Sequence, residues 1–292
     1  MVHSQKGEPY DSFTLPFFNA FFTGAQKVRF EHVVLNNHEK YLDRYLAQKK
    51  PAHICAVVAV GTVALRAIRD QKIIPDHIPV IFGAVTDPIG EKVISSFEQP
   101  QKGRFTGVAF SVHIKDRLRY MRKVFPQAKK IGVIYTTMPQ SISFKKWLMA
   151  LKDDPEFHDL EFLYRRVGMR TQKNGPQKMV KDAKLPILSL KDKVDIFLSP
   201  SDQMGILPEF AQYVVQLTNK PVFGLAKKDV TAHRAAVASV YPDMEASGEI
   251  AATMLQGVLA GKPISDFTPK RPQSLKVFNE RTARLFNLKK PD

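Results

Sequence analysis

The sequence predicts an α/β fold of two doubly wound, Rossmann-like lobes, and three observations carry that expectation. Short, unbroken apolar runs recur, such as Val80–Phe82 in IPVIFGAVTDPIG, Ile54–Val60 and KIGVIY from Lys130. Such runs suit strands buried on both faces of a parallel sheet better than half-wet, alternating ones. Polar and glycine-bearing turns follow the runs, and helical periodicity follows the turns, which is the alternation of parallel sheets. The alternation breaks near Ser111 and begins again, so the chain divides into two lobes with a cleft between them as the natural place for a ligand.

In order, Val2–Gln5 reads as the tail of a first strand. Pro9 to Ala25 carries Phe13, Phe17, Phe18, Phe21 and Phe22 at spacings of three and four, a stripe wide enough to cover one sheet face. Val28–Leu35 predicts a second strand, and His38–Gln48 a helix with Leu42, Tyr45 and Leu46 on one side. Ile54–Val60 is the third strand, Val63–Asp70 a helix, Ile78–Val85 the fourth strand, Gly90–Phe97 a short helix and Phe105–Ser111 the fifth strand. The next helix buries Ile114, Leu118, Met121, Val124 and Phe125 and leaves Lys115, Arg117, Arg119, Arg122 and Lys123 solvated. Strand Lys129–Tyr135, helix Ser143–Leu151, strand Leu160–Arg165 and a basic polar segment Gly168–Lys178 come after it. Strand Val194–Leu198, helix Gly205–Leu217 and strand Pro221–Leu225 continue the pattern.

Composition narrows the class. At 292 residues the chain is long enough for one large domain or two modest lobes, and with 44% hydrophobic and 25% charged residues disorder is not the default reading. Cys55 stands alone, so no intramolecular disulfide forms, and its setting in ICAVVAVG predicts a buried, inert thiol. No apolar run approaches the roughly 20 residues of a membrane span. Before Val2 there is no charged leader, so either an export signal precedes the given chain or the protein stays in the cytoplasm.

The net charge is +16, and Val112–Leu190 alone holds 17 basic against 7 acidic residues. Nucleic acid, anionic lipid headgroups or an anionic solute would each suit such an excess, but a solvated basic face is the first reading. Zinc-ligand spacing, an aromatic RNA-binding strand and a clustered basic tail are all missing, so nucleic acid is not the expected partner.

Enzyme motifs are equally scarce. The eight histidines show no H-E-x-x-H spacing, and there is no G-x-S-x-G elbow, G-x-G-x-x-G fingerprint or G-x-x-x-x-G-K-[ST] loop. No catalytic residue, metal or cofactor is expected. A two-lobed transferase for sugar nucleotides shares the α/β pattern, as does the ligand-sensing core of a regulator. The latter needs a DNA-binding helix-turn-helix, which the residues before Pro9 are too few to hold.

Ligands of parallel sheets bind beyond the carboxyl ends of the strands. Thr86 and Asp87 end the fourth strand, although Asp87 on its own reads first as the cap of a helix starting near Pro88. Gly61 and Thr62 end the third, where a glycine lets the backbone approach closely and a hydroxyl sits beside free helix N–H groups. Thr62 serves equally as an N-cap.

IPVIFGAVTDPIG, GRFTGVAFS, FPQAKKIGVIYTT, VDIFLSPSDQM, KPVFGLAKK, MLQGVLAGKPISDF and VFNERTARLFNL occur in an order that resembles a family of ABC-transporter substrate-binding proteins of the tryptophan/tyrosine type. The resemblance runs from about Ile54 to the C-terminus. It implies the periplasmic-binding-protein type I fold, with residues 1–111 plus 240–264 in the first lobe and 112–239 plus 268–292 in the second. The residues agree with that path: Ala235–Val240 reads as a strand, Met244–Leu259 as a helix with Ile250, Ala251, Met254, Leu255 and Val258 on one face, and Leu275–Phe278 as a last strand.

The resemblance also implies ligand contacts at Ser4, Gln5, Gly61, Thr62, Thr86, Asp87 and Ser111 in the first lobe. In the second they are Tyr135, Thr136, Ser201, Asp202, Leu225 and Ala226. Hydroxyls and helix N-termini suit a carboxylate, Asp87 or Asp202 an ammonium, and Tyr135 an apolar side chain. Each position is equally a cap or turn residue. Ala226 stands where many relatives carry a polar residue. By the same resemblance the protein is a monomer of the periplasm or cell envelope, closes by a hinge on a small solute such as an aromatic or branched amino acid, and serves a membrane permease and ATPase.

Overall fold

The computed structural model describes residues 1–24, 28–49, 53–172 and 174–291. Up to Ser111 the chain runs β1 (Val2–His3), α1 (Tyr10–Phe21), β2 (Val33–Val34), α2 (Lys40–Lys49), β3 (Val57–Val60), α3 (Thr62–Asp70), β4 (Val80–Val85) and β5 (Phe105–Ala109). It continues as α4 (Ile114–Val124), β6 (Lys130–Thr136), α5 (Pro139–Met149), β7 (Glu161–Val167), α6 (Gly175–Asp182), α7 (Lys184–Leu188), β8 (Ile196–Leu198), α8 (Pro208–Thr218), β9 (Val222–Phe223), α9 (Lys227–Thr231) and β10 (Ala238–Pro242). Helix α10 (Met244–Leu259), strand β11 (Ser274–Phe278) and helix α11 (Glu280–Arg284) complete it. No described helix is long and apolar enough to cross a membrane.

Two compact units result: residues 1–111 with 243–273, and residues 112–242 with 274–292. The expected boundaries gave 240–242 to the first lobe and 268–273 to the second. Backbone pairing assigns both stretches otherwise. Lys270 donates its N–H to Gly107 O and accepts from Ala109 N–H, at 2.9 Å each, while Ala238–Pro242 pairs along Ser274–Phe278.

In the first unit the sheet order is β2-β1-β3-β4-β5 and the pairings are parallel. Alternation along each strand divides the core. Val57, Ala59, Val80 and Phe82 pack with Leu42, Leu46, Leu65 and Ile68 of α2 and α3. Val58, Val60 and Ile81 pack with Phe13, Phe17 and Phe21 of α1 and with Ala251, Ala252 and Leu255 of α10. A strand apolar on both faces is therefore covered twice, as the unbroken runs require. Gly83 opens room for Phe13, whose ring would lie 2.0 Å from an added Cβ.

The second unit has the order β11-β10-β9-β8-β6-β7, parallel except for the antiparallel β10–β11 pair. Ile131, Val133, Ile196 and Leu198 join Leu118 and Met121 of α4 and Phe144 of α5 on one face. Ile134, Phe197 and Val222 join Met179, Ile187 and Phe210 of α6 to α8 on the other.

Several local expectations change. Within Val28–Leu35 only Val33–Val34 is strand, and α1 ends at Phe21, with Ala25 outside the described residues. Gly90–Phe97 is a set of turns: Gly90 N–H bonds Asp87 Oδ1, Val93 N–H bonds Pro88 O, and Lys92 sits at φ 57°. The basic segment Gly168–Lys178 runs into α6. Cys55 is exposed, because β3 starts at Val57 and leaves the thiol at the rim of the sheet.

Candidate functional site

Parallel pairing brings the carboxyl ends of β1, β3, β4 and β5 to one edge of the first sheet. At the end of β1, Ser4 donates its N–H to Val60 O at 2.9 Å and its carbonyl accepts from Asn37 at 2.8 Å. Its fully buried side chain then reaches the neighbouring helix, where Oγ accepts the Ala64 N–H at 3.0 Å. Ala64 is the third residue of α3, so Ser4 is an N-cap supplied from another strand.

Gly61 makes this possible. It lies at φ 93°, and a Cβ there would come within 2.5 Å of Ser4 Oγ and of the Tyr10 ring. Thr62 is freed from capping by Ser4, and its Oγ1 accepts the Thr86 N–H at 3.2 Å, leaving the hydroxyl proton to donate elsewhere. Ser4, Gly61, Thr62 and Thr86 thus form one connected group across three strands. Just before it β4 bulges between Phe82 and Val85, with Ala84 in the left-handed region at φ 55°.

The remaining positions of this unit separate. Gln5 is pinned to the β2–α2 connection, its Oε1 accepting from Asn37 Nδ2 at 2.8 Å. Asp87 caps a turn and not a helix, with Oδ1 on the Gly90 N–H at 2.8 Å. Ser111 is buried, and its hydroxyl has no partner among the described residues.

In the second unit Thr136 and Asp202 meet directly. Thr136 Oγ1 donates to Asp202 Oδ2 at 2.9 Å, while Oδ1 accepts the Met204 and Gly205 N–H groups at 3.0 and 2.9 Å. Burial pushes the Asp202 carboxyl above the usual range, against the pull of these bonds. Its oxygens are spent on Thr136 and on organising the turn after β8. Ser201 lies buried beside it. Tyr135 is half-buried and already engaged, with Lys145 Nζ 4.4 Å from its ring centre and the Tyr164 ring edge-on at 6.4 Å.

Leu225 and Ala226 contribute their backbone. Both N–H groups bond the Asp229 carboxylate, at 2.7 and 3.1 Å. Asp229 is fully buried, and desolvation pushes it up to about 7. Arg117, expected to be solvated, is buried at 4% exposure and lowered to about 10 by the same cause. It lies three residues after Ile114 and four before Met121, on the inner face of α4, and donates from Nη2 to Gly224 O at 2.7 Å. The buried Arg117 guanidinium and Asp229 carboxyl group therefore brace the 224–226 turn together.

Sequence reasoning missed Arg117 and Asp229, along with Gln140 and Ser199, whose buried Oε1 and Oγ have no partner among the described residues. Helical phase betrayed Arg117, and the spacing A-K-K-D betrayed a carboxylate reaching back to an N-cap. Ser199 directly follows β8, where its place at a strand end was the signal, and nothing in sequence marked Gln140.

The family model described as ABC transporter substrate binding protein matches residues 36–288. A tyrosine-binding protein of Clostridioides difficile (strain R20291) is 26% identical over 249 residues, which cover 85% of this chain and 66% of that protein. Among solved structures, a conserved domain protein of Vibrio cholerae superposes with a TM-score of 0.79 at 18% identity, covering 100% of this chain and 94% of that one. A Streptococcus pneumonia ABC domain in complex with L-Trp gives 0.78 at 20% identity, covering 99% and 95%. These structures share the type I periplasmic-binding fold with this chain. Its two parallel-dominant sheets, its strand-end polar groups and the extent of the family match agree, and the chain belongs to the ABC transporter substrate-binding protein family.

Proposed function

We propose that this protein receives an aromatic or branched amino acid for an ABC importer, holding it between the two units and closing on it by a hinge motion. The observation that carries the reading is the relative named as tyrosine-binding, supported by the fold neighbour that holds L-Trp. Family members bind solutes and perform no reaction on them, so the site serves affinity alone. The strand ends offer suitable chemistry. The hydroxyls of Thr62, Thr86 and Ser111 face a carboxylate, Asp87 takes the ammonium, and Tyr135 with Thr136 and Ser201 meets the side chain from the second unit. Gln5, Gly61, Leu225 and Ala226 shape the walls, and Ser4 and Asp202 hold the strand ends in place.

The family works outside the cytoplasm with membrane transporter components. We place this protein in the periplasm or cell envelope, as a monomer that delivers its solute to a permease driven by an ATPase. Thermal-shift titration with L-tyrosine, L-tryptophan, L-leucine and a nucleotide sugar tests the assignment. A ligand at about 100 times its dissociation constant stabilises by about 2.7 kcal/mol, a readily visible shift. Solution scattering with that ligand then shows a smaller radius of gyration. A shift with the nucleotide sugar alone, or unchanged scattering on saturation, refutes the reading.

A further inference from the structure

Helices α6 and α7 are joined by one residue, Ala183, at φ −71° and ψ −8°, so they run on almost as a single helix. Their buried face is Met179, Val180, Ala183 and Ile187, continued by Leu190. The outward face carries Lys178, Lys181, Lys184, Leu185 and Leu188, all exposed, with Lys191 and Lys193 just beyond. Positions 181, 184, 185 and 188 follow the i, i+3, i+4, i+7 spacing of one helical side. Leu185 is 75% exposed and Leu188 39%, so apolar groups stand in water on a face that also carries exposed lysines. Asp182, the acid within this face, is held by Arg170 Nε at 2.9 Å. Met169, beside Arg170, adds a third exposed apolar side chain at 43%.

We propose that this face docks on an anionic lipid bilayer. Long lysines around a small apolar tip suit the interface, where the ammonium groups stay at the headgroups while the leucines enter the acyl boundary. Charge complementarity selects the partner. Residues 178–193 carry five lysines against two aspartates, so a second copy of this surface would be repelled. A stable protein interface of about 1,000 Å² or more in total is built around a buried apolar core, which three scattered apolar side chains do not form. A bilayer contact has no such threshold and grows with each inserted methylene and each lysine near the surface.

Sedimentation of the full chain with vesicles of phosphatidylglycerol and phosphatidylcholine, against phosphatidylcholine alone, tests the proposal. It stands independently of the solute, which is left out. Expected is binding to the anionic vesicles at low salt, little to the neutral ones, and a loss of about fivefold for each of K181Q and K184Q. The L185A/L188A variant, which leaves the charge unchanged, binds at least tenfold more weakly with the same urea midpoint as the parent chain. Absence of binding to anionic vesicles at low salt overturns the assignment. So does undiminished binding by L185A/L188A, which marks mere attraction by net charge, or retention on polyaspartate beads without vesicle binding, which marks an acidic protein as the partner.

Discussion

Asp229 offers the sharpest test of the energetics beneath the strand ends. Substitution D229N keeps the shape of the side chain and removes its ability to ionise. One oxygen still accepts a backbone N–H from Leu225 or Ala226, while the amide nitrogen faces the other donor, a pH-independent loss of about 1–3 kcal/mol. On top of it lies a pH-dependent part. The unfolded carboxyl titrates near about 3.9, and the folded one is pushed up to about 7 by desolvation. The native state therefore keeps a proton that the unfolded state releases, and stability falls as pH rises through this window. Over the full span the loss is at most about 4 kcal/mol, at about 1.36 kcal/mol per pH unit. The Asn variant lacks this term, so it gains on the parent chain by that amount between about pH 4 and pH 8. Urea unfolding of both proteins at steps across the window measures the difference, in which all other titrating groups cancel. A flat difference refutes the reasoning. A parent chain that gains on the variant as pH rises would mean that Arg117 and the two N–H groups outweigh desolvation.

Ser4→Ala removes the cap on the Ala64 N–H and costs about 1 kcal/mol in urea unfolding. Gly83→Ala drives a methyl into the Phe13 ring and costs about 1–3 kcal/mol, partly recovered by adding Phe13→Leu. Asp202→Ala strips an acceptor from Thr136, Met204 and Gly205 together and costs about 3 kcal/mol or more, read as a lowered melting temperature. Cys55 reacts with a maleimide in the native protein at a rate close to that of the unfolded chain, whereas a buried thiol would be protected.

What could be read in advance follows from where the physics is local. The run Val80–Val85 and the helix Met244–Leu259 announce themselves because burial and period coincide along the chain. Gly90–Phe97 misleads for the same reason. Its apolar Val93 and Ile94 do enter the core, but Lys92 at φ 57° carries them there through turns. The lysines of 170–184 disguise a helix whose buried positions, Met179, Val180, Ala183 and Ile187, still keep helical spacing. At the strand ends the residue types were legible and their duties were not. Whether Thr62 caps its own helix depends on Ser4, on another strand, and Asp202's oxygens are claimed by Thr136 of β6 as well as by the turn after its own strand.

Helix α10 returns to lie against α1, with Gln256 Nε2 donating to Ala20 O and Phe21 O at 3.2 and 3.0 Å and Gly248 admitting the Phe13 and Phe17 backbone. The first unit is thus closed by residues more than two hundred positions downstream of its first helix. During synthesis Phe13, Phe17 and Phe21 can pack on Val58, Val60 and Ile81 early, but their α10 side stays uncovered until residue 259 has left the ribosome, and contacts so distant in sequence form slowly. A chain that has already made all five strands of the first sheet therefore still shows apolar surface on α1, and that surface is covered only once α10 has been added.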